Sequence, residues 1–389
     1  MKEKNSIRLG SLSGYLITLC IGLGLYALTK NLPSLTDKLA YNDIAEGILG
    51  SGIYKACWFL MDFTEATFFA GVCASLFMII GGVIAWRLAA KGSNKLVFPA
   101  CYGMGSLWPW ILGAQCLSLI LTLFVFGYID LFQESGWIPS FLVTVSAPSA
   151  LLMLYGPSVP TLLTGCVLAS LISAPLANWC INVIVPLLQM PAGYGGLITM
   201  ALMSFIVCTV ALYLPWIKKR DVKPYPAVSN ETDIYSAGWA VRRTFADFSE
   251  PMFYGSEIVG VMMIAGVLVD YLINHDHVAN GGGVLLPAIL LSQFVASGTG
   301  VFLYASKWEE YGWFGTFIPV VSVGPFCVLT YGGSIGVALL GGVLGGILCG
   351  PTAHTISLHL PKGTHLFVAS VLAMLLTTPS VLAVVGLFF

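Results

Sequence analysis

The sequence has little charge. Its 17 basic and 18 acidic side chains make up 9% of 389 residues, with a formal net charge of −1. So few charges leave too little polar surface to cover a soluble domain of this size. The near-zero balance also excludes a general polyanion-binding surface, so we expect no nucleic-acid partner.

The sequence also lacks paired cysteines. Most of its ten cysteines lie inside apolar runs, and none shows CxxC spacing. We therefore interpret them as small buried residues. The three C-terminal histidines have no carboxylate nearby that would complete a ligand set, so we expect no metal site and no cofactor. These residues are His354, His359 and His365.

What the sequence has instead is a series of long apolar runs. Hydrophobic residues make up 57% of the chain, and the mean hydropathy is +0.89. A helix needs about 20 apolar residues to cross a bilayer. The fold class we predict is an all-α polytopic membrane protein with about eleven transmembrane helices. The predicted spans are 11–29, 66–88, 105–128, 138–155, 159–176, 195–216, 254–273, 284–304, 314–331, 333–350 and 366–389.

Basic residues cluster in three places that fall on one side if every run crosses once. The clusters are Lys2/Lys4/Arg8, Arg87/Lys91/Lys95, and Lys218/Lys219/Arg220/Lys223 with Arg242/Arg243. Positive loops face the cytoplasm. We therefore expect a cytoplasmic N-terminus and an external C-terminus, in a bacterial inner (plasma) membrane. The first apolar run is long and has no cleavage pattern after it, so we interpret it as a retained helix.

The chain contains an internal repeat. Residues 128–178 laid on 304–354 without a gap match at 16 of 51 positions. Two earlier blocks align in the same order: 62–65 on 247–250, and 109–115 on 287–293. The matches concentrate on Gly, Pro, Trp, Tyr, Ser, Asp and Glu, which shared apolar composition does not explain.

Each copy of the repeat holds five predicted crossings. Because five is odd, consecutive copies must have opposite orientations in the bilayer. Inverted repeats are typical of secondary transporters and of some solute channels. The organisation we predict is an N-terminal helix with an external loop, a first five-helix copy, a cytoplasmic linker and a second, inverted copy. The respective bounds are 1–52, 53–216, 217–233 and 234–389.

Two acidic motifs are the first candidate site. Asp62 and Glu65 recur as Asp247 and Glu250, three residues apart and hence on one helical face. An acid three residues before a second acid is also typical of a capping box at a helix start. Alternatively, the acids lie at a break inside a discontinuous helix, as Pro251 suggests. Such breaks hold solute and ions in transporters.

Glu257 is a second candidate, because it interrupts the seventh predicted span where the first copy has Val72. A carboxylate in lipid is neutralised, paired or turned toward a cavity. We interpret Glu257 as a proton carrier. The structural alternative is an ion pair with Arg242 or Arg243.

Four further polar residues occupy equivalent places in the two copies. Gln115 and Gln293 each follow a proline by six residues, and they either join helices by hydrogen bonds or recognise solute. Asn178 and His354 open weakly polar stretches that we expect to dip into the membrane. They are candidate lining residues or, alternatively, ordinary loop residues.

These features favour a secondary active transporter of a small solute, coupled to protons or sodium, rather than an enzyme. The expected partners are the solute, the coupling ion and membrane lipid, and a homo-oligomer is compatible with this reading. A passive channel of the same fold is the alternative. A membrane-embedded enzyme is a weaker one, because no nucleophile, metal or phosphate motif is recognisable.

Overall fold

The structure is a computed structural model. It describes residues 8–100, 105–131, 137, 139–222, 233–278 and 284–389. Within these ranges the chain is helical and contains no β-strand. Several features noted in the sequence lie outside the described residues, and nothing is concluded about them. They are Lys2, Lys4, Lys223, Gly136 and most of the linker 217–233.

The described residues of the first part of the chain, 8–222, form nine helices. They are α1 (Leu12–Asn31), α2 (Tyr41–Gly47), α3 (Gly52–Met61), α4 (Val72–Ala90), α5 (Trp108–Ile120), α6 (Ala147–Tyr155), α7 (Val159–Trp179), α8 (Val185–Leu188) and α9 (Gly193–Tyr213). Single π-helical turns extend α5 through 121–125 and join α7 to α8 through 180–184.

The second part forms seven helices within the described ranges 233–278 and 284–389. They are α10 (Ala237–Ser249), α11 (Glu257–Ile273), α12 (Leu286–Leu303), α13 (Ala305–Tyr311), α14 (Val323–Tyr331), α15 (Ile335–Ser357) and α16 (Phe367–Val385). Short 3₁₀ turns precede α6 at 140–143 and α14 at 318–321.

Eight helices of the described chain are long and apolar enough to cross a membrane. They are α1, α4, α5 with its π turn, α7 with α8, α9, α12, α15 and α16. Many large apolar side chains on their outer faces are exposed. A soluble fold would bury this surface, whereas lipid solvates it. The chain is therefore an all-α integral membrane protein.

The remaining predicted spans are shorter or broken. Helix α11 has 17 residues, and the segments 140–155 and 318–331 are short apolar helices. Each of these two segments is interrupted by a serine with non-helical backbone angles, Ser146 in the first and Ser322 in the second. These serines align in the repeat, so the interruption recurs in both copies.

A second pair of interruptions follows the acidic motifs. The chain is irregular between α3 and α4, and again between α10 and α11. Phe68 and Phe253 occupy equivalent positions in these two segments, and both have left-handed backbone angles, with φ of 67° and 64°. A left-handed residue costs roughly 1–2 kcal/mol and stops a helix. The break predicted next to Pro251 is therefore present in both copies.

Helices α4 and α11 follow the two motifs and pack against each other in opposite directions. Gly81 of α4 lies against Val259 near the start of α11, and Gly266 of α11 lies against Ala74 near the start of α4. A Cβ atom on Gly266 would come within 2.6 Å of Ala74 Cα, so the two backbones are in contact. Gly81 and Gly266 are equivalent positions, so the corresponding helices of the two copies run antiparallel.

The loops of the fold meet at two ends. At one end, which we call the basic end, Arg242 Nη2 donates to the carbonyl of Lys95 at 2.5 Å. At the opposite end, the segment after α1 bonds to the end of α11, with Leu35 N donating to Leu272 O at 3.0 Å.

One expectation about loops is wrong. Asn178 and His354 lie inside helices, because α7 continues through Pro175 and α15 continues through Pro351. The helical segment that contains α7 and α8 extends to Leu188, a span of 30 residues. A proline inside a transmembrane helix is tolerated because neighbouring groups satisfy the carbonyl that it leaves free. The stretch after Asn178 is therefore helix and does not form a re-entrant loop.

Candidate functional site

A cavity of about 290 Å³ lies between the two copies of the repeat. Glu65 from the first copy and Glu250 from the second both line it. Among the described residues that line this cavity, none is Lys, Arg or His. Eight of its described lining residues are aromatic, namely Tyr41, Phe68, Trp137, Phe141, Phe253, Phe317, Phe326 and Phe367.

In the first acidic motif, hydroxyl and indole groups hold the two carboxylates. Asp62 follows the last residue of α3 and is fully buried; its Oδ2 accepts from Ser140 Oγ at 2.7 Å. Glu65 Oε1 accepts from Trp137 Nε1 at 2.9 Å and from the Tyr41 hydroxyl at 3.1 Å. The motif therefore ends α3 and does not cap the start of α4.

The second motif has the same donors in equivalent positions. Asp247 Oδ1 accepts from Thr316 Oγ1 at 3.0 Å, and Glu250 Oε1 accepts from Trp313 Nε1. Thr316 and Trp313 align with Ser140 and Trp137 in the repeat. Because both the acids and their donors recur, the two motifs are versions of one local structure.

The motifs differ in their counter-charge. Arg243 bonds to Asp247 Oδ1 at 2.5 Å and also to Glu250, and its side chain is buried. The residue that aligns with Arg243 in the first copy is Trp58, whose indole donates to Ser140 Oγ at 3.0 Å. No described Lys, Arg or His forms an ion pair with Asp62 or Glu65.

The two glutamines cross-link the copies by hydrogen bonds. Gln115 Nε2 donates to the carbonyls of Thr144 at 2.9 Å and Met252 at 3.1 Å. Gln293 Nε2 donates to the equivalent carbonyls, those of Val320 at 3.0 Å and Thr67 at 2.9 Å. Each amide therefore bonds one carbonyl of its own copy and one of the other copy. These contacts are those of the helix-joining interpretation, and neither glutamine lines the central cavity.

Glu257 has the contacts of the structural alternative. It is the first residue of α11, and its Oε1 pairs with Arg242 Nη2 at 2.6 Å. Its carboxylate also accepts from the backbone N–H groups of Val97 at 2.9 Å and Phe98 at 3.1 Å. These bonds attach the loop after α4 to the start of α11 at the basic end.

Asn178 and His354 do not join this site. Asn178 Oδ1 accepts from Asn182 Nδ2 at 2.7 Å on an exposed helix face. The His354 ring stacks on Tyr311 with 4.6 Å between ring centroids. Neither residue lines the central cavity or the second cavity described next.

A second cavity, of about 650 Å³, lies toward the basic end. Arg243 and Trp313 line it, as do Val97 in the loop after α4 and Glu309 in α13. It shares Phe367 and Ser370, in and near the first turn of α16, with the central cavity. The two cavities therefore approach each other beside the second acidic motif.

Sequence reasoning missed the residues that hold the acids. Arg243 was grouped with Arg242 as a basic loop residue, although Asp247 and Glu250 follow it at i+4 and i+7, which is one face of a helix. Trp137 and Trp313 were matched in the repeat without a role. The spacing of Arg243 and the duplicated tryptophans were the available signals.

No protein-family model matches the chain, and the comparison with curated proteins finds no match either.

Proposed function

We propose that this protein is a secondary active transporter that moves a small solute by alternating access, coupled to an ion. The observation that carries the proposal is the placement of two buried acidic motifs, one from each copy, at helix breaks beside one cavity. Intramembrane acids are costly and are usually functional or paired. Broken helices around a central site are typical of transporters built from inverted repeats.

The packing of the two copies supports the alternating-access part of the proposal. Equivalent helices α4 and α11 run antiparallel, as expected for two copies in opposite orientations. Two cavities approach the same acidic motif, one of them from the basic end. Two similar halves that exchange conformations would expose the region between them to each side in turn.

The cavity lining also bears on the solute. Its described residues offer aromatic faces and the carboxylates of Glu65 and Glu250, without a basic side chain. Such a lining stabilises apolar or cationic groups and disfavours multiply charged anions. We therefore propose a compact, neutral or cationic organic solute.

The orientation is part of the same proposal. Basic segments after α4 and before α11 meet at one end, through Arg242 and Lys95, and positive loops face the cytoplasm. On this basis we propose a cytoplasmic N-terminus and an external C-terminus, in a bacterial inner membrane.

Uptake into liposomes tests the proposal. A thermal-shift screen of small organic solutes on the purified full chain first identifies a stabilising compound. Reconstituted protein should then accumulate that compound when an ion gradient is imposed, and uptake should fall to background when the gradient is dissipated. Glu65→Gln should abolish accumulation, whereas Glu310→Gln, which removes an exposed pair with Lys307, should leave it unchanged.

The same experiment separates the transporter from a passive channel. Flux that equilibrates the compound without accumulating it, and that is indifferent to the ion gradient and to Glu65→Gln, would overturn the coupled mechanism. It would identify a facilitator with the same architecture.

A further inference from the structure

We propose that the exchangeable ion is a proton held by Asp62 and Glu65 in the first copy alone, and that Arg243 permanently fills the equivalent place in the second copy. This inference rests on the proposed function and deepens it, because it assigns the coupling ion and its site.

The first motif has unmet bonding capacity at its buried carboxylates. Asp62 is 0% exposed and Glu65 is 5% exposed. Among the described residues, no hydrogen-bond partner reaches the buried Asp62 Oδ1 or Glu65 Oε2, and the two carboxyl groups are close enough to interact. Two adjacent buried carboxylates cannot both remain charged without a cation, because the desolvation and repulsion are too costly.

The second motif shows what satisfies such a pair. Arg243 bonds to both Asp247 and Glu250, and its guanidinium also lies 4.6 Å from the Trp308 ring centroid. Neither acid of this motif has a buried oxygen without a partner. Ser297 Oγ supplies a further donor to Asp247 Oδ2. The second copy is thus an internal comparison in which one positive charge, together with this hydroxyl group, completes the acid pair.

The donor set of the first motif favours a proton over a metal ion. A metal cation needs a shell of several oxygen ligands, whereas Asp62 and Glu65 together offer two unpartnered oxygens. One proton on either carboxyl group creates an O–H donor that the other carboxylate accepts. The described residues contain no group of three or more His, Cys, Asp or Glu arranged to hold a metal.

The groups that face the pair belong to three parts of the fold. From α2, the Tyr41 hydroxyl donates to Glu65. From the segment before α6, Trp137 and Ser140 donate to the pair. From α3 itself, Trp58 reaches Asp62 through Ser140. Tyr41 is the one titratable group among these donors, and a phenol stays protonated in the neutral range.

Thermal unfolding of the purified full chain across pH tests the inference without any solute. The reference protein carries His277→Gln. This substitution removes a buried histidine–carboxylate pair, His277 with Asp270, whose own pH dependence would otherwise overlap. The native reference should hold a proton that the unfolded chain releases. Its unfolding temperature should therefore fall as pH rises from about 5 to 8. Asp62→Asn and Glu65→Gln should each flatten this dependence, and exchange of potassium chloride for sodium chloride should change nothing.

A second variant supplies the missing charge. Trp58→Arg should give the first motif the cation that the second already has, and so remove the pH dependence. Trp58→Gln is the matched control and should keep it. If Asp62→Asn does not fold, the infrared absorption of a protonated carboxyl group in the reference decides the matter. This absorption should be present, disappear at high pH and be absent in Trp58→Arg.

Two results would overturn the inference. The first is stabilisation by sodium that Asp62→Asn abolishes, which would identify a metal-ion site. The second is a pH dependence that none of these variants alters. This experiment measures proton binding and not flux. A positive result here with no uptake into liposomes would therefore contradict the transporter proposal and leave the proton site in place.

Discussion

The two acidic motifs are the same structure with one difference in charge. Both lie at the end of a helix, and both have a carboxylate bonded to an indole and a second bonded to a hydroxyl group. Arg243 completes the second motif, whereas Trp58 stands in its place in the first. Duplication thus preserved the shape of the site and left a charge missing in one copy.

This difference separates two roles that a symmetric protein would combine. A permanently paired motif is a fixed structural element, because breaking a buried ion pair is costly. A motif without a built-in cation must bind a positive charge from elsewhere. Positions that differ between the two copies are therefore better candidates for ion binding than positions that are the same in both.

The largest expected effect comes from making the second motif resemble the first. Arg243→Met leaves Asp247 and Glu250 buried without their cation, which should lower the free energy of unfolding by about 3–5 kcal/mol at neutral pH. Acid should restore part of the loss, since protonation removes the stranded charges. Denaturant unfolding of the purified protein measures this.

Arg242→Met is the control for that variant. It breaks a pair with Glu257 in which the arginine side chain is 37% exposed, so the loss should be about 0–1 kcal/mol. Equal losses in the two variants would show that the second motif is not held by its ion pair.

A smaller effect should distinguish the two glutamines. Gln293→Leu leaves two carbonyls without their donor and should cost about 1–3 kcal/mol. Gln115→Leu also removes an acceptor of the Tyr254 hydroxyl, which donates to Gln115 Oε1 at 2.8 Å, whereas Gln293 Oε1 has no hydrogen-bond partner among the described residues. Gln115→Leu should therefore lower the free energy of unfolding more than Gln293→Leu does, by the value of one hydrogen bond, ~1 kcal/mol.

Adding Tyr254→Phe to Gln115→Leu should remove that difference. Denaturant unfolding of the three proteins checks the order. A Gln293→Leu variant less stable than Gln115→Leu would contradict the assigned contacts.

The smallest expected effect is a pH dependence outside the motifs. Burial opposes the charge on His277, but hydrogen bonds to Asp270 and to the Leu39 carbonyl outweigh it and raise the pKa of His277 above 6.5. The pair should stabilise the fold fully below about pH 6.5 and lose its effect as pH rises through the raised pKa. His277→Gln should remove about 1 kcal/mol at low pH.

Thermal unfolding at low and high pH measures this contribution, which must be subtracted before any dependence is assigned to the first motif. An unchanged pH profile in His277→Gln would mean that the histidine stays neutral in the folded protein.

Much of the scaffold was predictable because apolar length and duplication are properties of the sequence itself. The lengths of the apolar runs predicted helices in regions where the structure has helical segments, and Pro251 indicated the break after Glu250. Proline misled at Pro175 and Pro351, where the helices continue. Composition cannot distinguish a proline that ends a helix from one that packing accommodates.

The site was less predictable because it depends on which charges meet in space. Glu257 looked like an isolated intramembrane acid, but it begins α11 and pairs with Arg242. Arg243 looked like a loop cation, but it is buried. Adjacent arginines point to different sides of a helix, so their separate partners follow from the fold and not from their neighbourhood in sequence.

The reciprocal glutamine bonds have a consequence for how the protein is made. The N-terminal copy is synthesised and inserted first, yet its Gln115 amide and Thr67 carbonyl find their partners in Met252 and Gln293 of the later copy. These two bonds form only when both halves have assembled, so the contacts of the first copy are complete only in the whole chain. A product truncated before Met252 would lack both of them.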